Sequence, residues 1–167
     1  MLDGAMAIQF ASQGKMQGAS LKTSRKGTID VFEYYHEIIS PRDAATGQAT
    51  GKRTHKPVCV GFYYEACVPQ LYQALARNES ATTVQIDFYS PNNLGKSGGQ
   101  GQEVLHYTVK LYNAFISRIT HTGPNNRVAE LKGIENTIKV EWVYEKVEWT
   151  WLVGGNKMAY DDWKDAK

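Results

Sequence analysis

The chain has 167 residues, 42% hydrophobic and 22% charged, which is the composition of an ordinary folded domain. The net charge of +2, from 19 basic and 17 acidic residues, is too balanced for a nucleic-acid or anionic-membrane partner. No stretch approaches the ~20 apolar residues of a membrane span. The two cysteines, Cys59 and Cys67, are too few for a disulfide framework and are interpreted as free, buried thiols. We therefore expect one domain over residues 1–167, without membrane insertion.

The N-terminus lacks the basic region and apolar run of a secretion signal. We expect the chain to fold in the cytoplasm, and any export to use a route that needs no leader. Met6 is a second candidate for the natural start, which would make residues 1–5 an added remnant.

Strand patterns and one long polar connection fill the first third of the chain. An apolar run at residues 7–11 predicts a first strand. Residues 28–39 predict a strand with apolar side chains on both parities, so we expect it to be covered on both faces or to bend midway. Residues 40–56 form a polar connection, and loops of this length are often functional. We interpret it either as a floppy insertion or as an arm that a partner orders.

A single short helix is predicted at about residues 69–78, after an alternating strand at residues 58–64. Its apolar stripe follows helical spacing and consists of Val68, Leu71, Tyr72 and Leu75. Pro69 suits the first helical position, and Asn78 suits the end. We expect this helix to flank or plug an open side of a β structure.

The C-terminal half is dominated by long strands. Strands are predicted at residues 82–89 and 104–119, on either side of a Gly- and Asn-rich turn at residues 90–102. The second of these changes phase at residues 113–117. A clearer alternation then places Ile138, Val140, Trp142 and Tyr144 on one face, followed by the odd-numbered Val147, Trp149 and Trp151. This slip predicts a bulge or sharp bend near residues 145–146, and Tyr160 and Trp163 mark a last short strand or packed tail.

No cluster of residues indicates catalysis. Residues 95–97 read Gly-Lys-Ser, but Ser90 stands where a phosphate-binding loop needs glycine, so we interpret them as a hairpin tip. None of the four histidines pairs at helical spacing or clusters with a cysteine, and no serine occupies a nucleophile elbow. We therefore expect no enzyme activity, no metal and no cofactor. The fold class we predict is mainly β, a two-sheet antiparallel β-barrel with one short flanking helix.

Six segments occur in chain order at a characteristic spacing. They are GAS at 18–20, KGTIDV at 26–31, TGKRTHKP at 50–57, PQLYQAL at 69–75, VQIDFY at 84–89 and YEKVEWTW at 144–151. With these segments, which cover most of the chain, the sequence resembles the haemolysin-coregulated protein (Hcp) family, the inner-tube subunit of type VI secretion systems.

The resemblance implies a hexameric ring whose subunits meet head-to-tail, and rings that stack into a tube. A contractile sheath would wrap this tube, a spike protein would tip it, and the whole would be expelled from the cell. Small effectors would ride in the lumen of the ring. The polar connection at residues 40–56 is then the candidate for ring-to-ring stacking through breakable polar contacts. The candidate residues of this assembly loop are Arg42, Asp43, Thr46, Gly51, Lys52, Arg53 and His55.

Two alternatives to this function remain open at the level of sequence. One is the tail-tube protein of a phage-like contractile injection particle, which would also form rings that stack into a tube. The other is a monomeric β-barrel that binds a small ligand. A monomer would stay a single chain in solution, whereas a closed six-membered ring would have about six times the chain mass.

Overall fold

The computed structural model describes residues 3–91 and 103–165, which contain eleven strands and one α-helix. The strands are β1 Asp3–Phe10, β2 Gly14–Lys15, β3 Ile29–Tyr35, β4 Ile38–Ile39, β5 Thr54–His55, β6 Val58–Tyr63, β7 Ala81–Pro91, β8 Glu103–Thr122, β9 Thr137–Val143, β10 Lys146–Trp151 and β11 Lys157–Asp162. The helix, α1, spans Val68–Ala76. Most of the predicted turn at residues 90–102, with its Gly-Lys-Ser tip, lies outside the described residues.

Six strands close into a ring by antiparallel pairing, in the order β8–β7–β1–β3–β6–β9 and back to β8. Strands β10 and β11 extend the sheet beyond this ring on one side of β8, and β4 pairs with β5 as a separate ribbon. The predicted mainly β, antiparallel fold with one helix is confirmed. The two expected sheets are continuous with each other, because strand β8 belongs to both.

Strand β8 is twenty residues long and changes partner halfway. Residues 107–112 pair with β10, and residues 115–122 pair with β9. Asn113 lies between these two parts with a φ of 48°, a left-handed conformation that asparagine tolerates better than most residues. The predicted change of phase at residues 113–117 therefore marks the point where the strand turns from one half of the fold to the other.

The interior of the ring is filled by side chains. Its largest fully buried members come from all six ring strands and from the helix, and they include Phe10, Phe62, Leu71, Ile86 and Trp142. Burying an aliphatic or aromatic side chain of this size contributes about 1.5–3 kcal/mol. The alternation predicted for β9 is confirmed, since Ile138, Val140 and Trp142 are each fully buried.

Helix α1 packs against this core with Val68, Leu71 and Ala74. It begins one residue earlier than predicted, so that Pro69 takes the second helical position, and it ends at Ala76. Asn78 follows with a φ of 51°, which confirms it as the residue that turns the chain away from the helix. Tyr72 was expected in the apolar stripe, but it is 39% exposed because it sits at the edge of the packed face.

Two strand boundaries differ from the sequence patterns, and a predicted bend is confirmed. β1 starts at Asp3 rather than residue 7, so residues 3–5 pair with β7. The predicted strand at residues 28–39 ends at Tyr35 after a register shift between Val31 and Glu33, which explains its apolar residues on both parities. The bulge or bend predicted near residues 145–146 is a bend, because β9 ends at Val143 and β10 begins at Lys146.

Both cysteines are free thiols, Cys67 buried and Cys59 partly buried. Burial raises the pKa of each thiol, to about 12 for Cys67. These values make both side chains poor nucleophiles at neutral pH. Within residues 3–91 and 103–165, no helix is long and apolar enough to cross a membrane.

Candidate functional site

The polar connection at residues 40–56 is a β-hairpin rather than an unstructured loop. Its two legs pair through Ile38 with His55 and Ile39 with Thr54, and a further bridge joins Arg42 to Ala49. We call residues 38–55 the arm, β4 its first leg and β5 its second. Backbone hydrogen bonds within the chain join its two legs, among them Asp43 N–H to the Gln48 carbonyl at 2.8 Å and Thr50 N–H to the Pro41 carbonyl at 3.0 Å.

The tip of the arm is closed by the side chain of Asp43. Its Oδ1 accepts hydrogen bonds from the backbone N–H groups of Ala45 and Thr46, at 2.9 and 2.7 Å, and from the Thr46 hydroxyl at 3.0 Å. These bonds hold the pKa of Asp43 below its usual value. Arg42 donates to the Gly47 carbonyl at 3.1 Å. The tip is thus a rigid turn that presents exposed polar groups.

The base of the arm is fixed to the last strand, β11. Arg53 donates two hydrogen bonds to the carboxylate of Asp161, one from Nε and one from Nη2, in the bidentate geometry that makes such pairs specific. A third bond runs from Arg53 Nη2 to the carbonyl of Asp162 at 3.1 Å. His55 Nε2 lies 2.8 Å from the same Asp161 carboxylate. The Arg53 guanidinium holds the pKa of Asp161 below its usual value.

A buried tyrosine connects both legs of the arm to the bend between β9 and β10. The Tyr144 hydroxyl lies 2.8 Å from Nδ1 of His55 and 2.6 Å from Nε2 of His36, the residue just before the first leg. Burial and the negative charge of Asp161 raise the pKa of Tyr144, so its phenol keeps its proton. His36 also stacks against Trp149 of β10, at 6.2 Å between ring centroids.

A cavity of about 350 Å³ opens beside this network. Lys56, Val143 and Trp163 line it together with the arm base. Among the described residues, no group of three or more His, Cys, Asp or Glu side chains could hold a metal ion.

The structure places five of the seven predicted site residues in two clusters, and the other two lie between them. Arg42, Asp43 and Thr46 come together at the tip, and Arg53 and His55 come together at the base. Gly51 and Lys52 are exposed between these two groups. The sequence prediction missed the partners of the base, namely His36, Tyr144 and Asp161. They lie far from Arg53 or His55 along the chain, and no spacing pattern relates them.

A second surface combines an open sheet edge with exposed apolar side chains. Within the part of the chain that the structure describes, strand β11 pairs only with β10, so its other edge lacks a neighbouring strand. Met158, Tyr160 and Trp163 on or beside this edge are 63%, 61% and 54% exposed. Open edges of this kind bind a further chain or aggregate unless they are protected.

A third feature is the buried guanidinium of Arg25, in the short 3-10 turn at Thr23–Arg25. It binds Asp3 at the start of β1 and lies 3.6 Å from Glu103 at the start of β8. The guanidinium also stacks over the ring of Tyr89, at 4.6 Å from the centroid. These contacts tie together the ends of three strands, β1, β7 and β8.

Comparison with known proteins places the chain in a family. The family model described as "Type VI secretion system effector, Hcp" matches residues 6–151. The "Major exported protein" of Pseudomonas aeruginosa is 31% identical over 150 residues, which cover 88% of this chain and 81% of that protein. The chain therefore belongs to the Hcp family of type VI secretion systems. Hcp proteins are secreted structural proteins and not enzymes, in agreement with the expectation from the sequence.

Solved structures show the same fold over almost the whole chain. A crystal structure described as that of an Hcp protein is 28% identical, with a TM-score of 0.84 over 98% of both chains. Hcp1 of the E. coli EAEC 042 pathovar is 23% identical, with a TM-score of 0.80 over 98% of this chain and 99% of that one. The secreted protein Hcp3 of Pseudomonas aeruginosa gives a TM-score of 0.73 at 24% identity, over 98% of this chain and 99% of that one.

Proposed function

We propose that this chain is a structural subunit of the inner tube of a type VI secretion system. In this proposal, six copies close into a ring, and rings stack into the tube that is expelled. The observation that carries it is the family match over residues 6–151 together with a fold shared over 98% of the chain. The other partners of the tube are a spike protein at its tip, a contractile sheath around it and small effectors in its lumen.

The surfaces of the folded chain suit such an assembly. A head-to-tail contact joins two different surfaces, and it closes into a ring when the rotation between subunits divides a full turn. The open edge of β11, with Met158 and Tyr160 exposed, is a surface that a neighbouring copy would cover. The interior of each subunit is filled by buried side chains such as Trp142, which disfavours the alternative of a monomer holding a ligand inside the strand ring.

We assign the stacking of rings to the arm, a long polar projection from the body of the subunit. Residues 42–50 at its tip are all exposed, and they carry groups of both charge signs. Exposed polar contacts are individually weak, about 0–1 kcal/mol for an exposed ion pair. A stack that uses many of them can assemble and later come apart.

We further propose that the protein is assembled in the cytoplasm and then exported. The support is the name of the Pseudomonas aeruginosa relative, a major exported protein. The phage-like tail tube remains the second candidate, because the same geometry of rings serves both machines.

Native mass spectrometry of the purified chain tests the ring. We expect a species of about six times the chain mass of 18.7 kDa, since closed cyclic symmetry gives one discrete size. A chain that stays monomeric at high concentration would contradict the proposal and favour the ligand-binding alternative. Replacing Met158 and Tyr160 by lysine should shift the ring toward monomer, whereas Lys15→Ala on the short strand β2 is the matched exposed control.

A further inference from the structure

We propose that the Tyr144 hydroxyl holds the two ends of the arm together through His36 and His55, an arrangement that we call the clamp. The pair of histidines can take up one added proton without loss of a contact, but not two. The clamp lies within a single chain, so it goes beyond the proposed tube function and does not depend on ring formation. Tyr144 is a positioning residue in this scheme. It sets the direction in which the arm leaves the body of the subunit.

Counting donors and acceptors gives the proton capacity of the clamp. The Asp161 carboxylate only accepts, so His55 must carry a proton on Nε2, 2.8 Å away. When His55 is neutral, its Nδ1 accepts the Tyr144 hydroxyl, and the hydroxyl oxygen accepts Nε2–H of His36. When His55 is charged, Nδ1–H donates to the hydroxyl, which in turn donates to a neutral His36. Either arrangement satisfies the Tyr144 hydroxyl and both of its histidine contacts.

The second proton cannot be accommodated in the same geometry. With both imidazoles charged, each would donate to the Tyr144 oxygen, and the hydroxyl proton would have no acceptor at 2.6 or 2.8 Å. A buried donor without a partner is unfavourable, and the two positive charges repel each other across one oxygen atom. One histidine contact must therefore break. His55 remains held by Asp161, so the contact that breaks is the one to His36.

The surrounding charges support this order of events. Arg53 and the Asp161 carboxylate neutralise each other beside His55, while His36 stacks on the uncharged ring of Trp149. The other titratable groups around the pair are Lys56 on the cavity wall, Tyr34 at the end of β3, Glu37 next to His36, Asp162 beside Asp161 and the Glu145–Lys164 ion pair next to Tyr144.

The electrostatics of His36 agree with the geometry. Burial, and after it the nearby His55, lower the pKa of His36 below its ordinary value of 6.5. A lowered pKa means that the folded arrangement favours the neutral imidazole. The contact to Tyr144 is then intact above about pH 6.5, and it is lost when His36 takes up the second proton of the clamp as the pH falls through its lowered pKa.

The effect of His55 on the pKa of His36 can be measured by exchange of the imidazole Cε1 proton for deuterium, followed by mass spectrometry. This method reports the pKa of single histidines in an assembly of any size. We expect His55→Gln to raise the pKa of His36 by about one unit, a tenfold change in proton affinity. Glutamine can still donate to Asp161 and accept from Tyr144, so the base of the arm stays folded while the second titrating site is removed.

Two comparisons make the result decisive. His121→Gln, a change at the exposed histidine that stacks on Tyr64 in another part of the fold, should leave the pKa of His36 unchanged. In the Tyr144→Phe background, adding His55→Gln should shift the pKa of His36 by less than about 0.3 units, because the shared hydroxyl is gone. An unchanged pKa of His36 in the His55→Gln variant, or an equally large shift without the hydroxyl, would overturn the clamp. Neither outcome would bear on whether rings form.

Discussion

At the scale of single residues, Arg25 is the most unusual side chain of the fold. Its side chain is 1% exposed, whereas its partners Asp3 and Glu103 are about one-third exposed. The guanidinium lies close to both carboxylates and over the ring of Tyr89. Removing the charge therefore leaves carboxylates that water can reach, rather than trapped ions.

This difference predicts a moderate effect for Arg25→Met, which keeps the apolar stem. We expect the free energy of unfolding to fall by about 1–2 kcal/mol, through loss of the ion pairs and the contact with Tyr89. Urea denaturation followed by tryptophan fluorescence measures the change. Lys26→Met, one residue away and exposed, is the control and should change stability by no more than about 0.5 kcal/mol. Equal effects of the two substitutions would show that Arg25 does not tie the strands together.

Single residues are also where prediction from the sequence was weakest. The candidate site included Arg53 and His55, and it placed them in the same contact surface as Arg42 and Asp43. The structure instead holds the first two against Asp161, which lies more than 100 residues further along the chain. Contacts between residues this far apart leave no local pattern, because pairing across a closed ring of strands depends on the whole topology.

At the scale of elements, the arm is a self-contained hairpin whose stem survives without its tip. The Thr50 N–H donates to the Pro41 carbonyl at 3.0 Å, so the two ends of the segment between them are already adjacent. A two-residue Asn-Gly turn suits a connection between antiparallel strands of this kind. The tip can therefore be removed without disturbing the contacts of Arg53 with Asp161.

We predict that replacing residues 42–49 with an Asn-Gly turn abolishes the stacking of rings and spares the rings themselves. Electron microscopy measures tube length, and native mass spectrometry measures the ring. The matched control replaces the exposed residues Lys132 and Glu135, in the connection between β8 and β9, with alanine. Tubes of unchanged length in the shortened variant would show that the arm does not mediate stacking.

Elements were predicted well wherever a strand has one buried face. The alternation of Ile138, Val140 and Trp142 located β9, and the apolar stripe located α1 to within two residues. The pairing of the two legs within the predicted polar loop was not foreseen, because most residues of the arm are polar and exposed. Its order comes from backbone hydrogen bonds and from Asp43, and neither of these produces hydrophobic periodicity.

At the scale of the whole molecule, the titratable groups make stability depend on pH in two ranges. His36 has a lowered pKa, so its protonation favours the unfolded chain as the pH falls below about 6.5. Asp3 and Asp161 also have lowered pKa values, with Arg25 and Arg53 among the causes. Their contribution is complete above the ordinary value of 3.8 and is lost as the pH falls through the lowered values.

We therefore predict that the urea midpoint falls between pH 7.5 and 5.5 and falls again below pH 4. Asp161→Asn should lower the midpoint at pH 7.5 and reduce the second decrease, since one of the responsible carboxylates is gone. Glu130→Gln, at an exposed carboxylate, is the control. A midpoint that stays constant from pH 7.5 to 3.5 would contradict these assignments.

Strand β8 has a consequence for how the subunit comes apart. Its first half pairs with β7 and β10, and its second half pairs with β9. The two halves of the fold therefore share this strand. Separating the two halves of the fold would require breaking the backbone hydrogen bonds of this one continuous strand. We therefore expect the subunit to unfold in a single cooperative step.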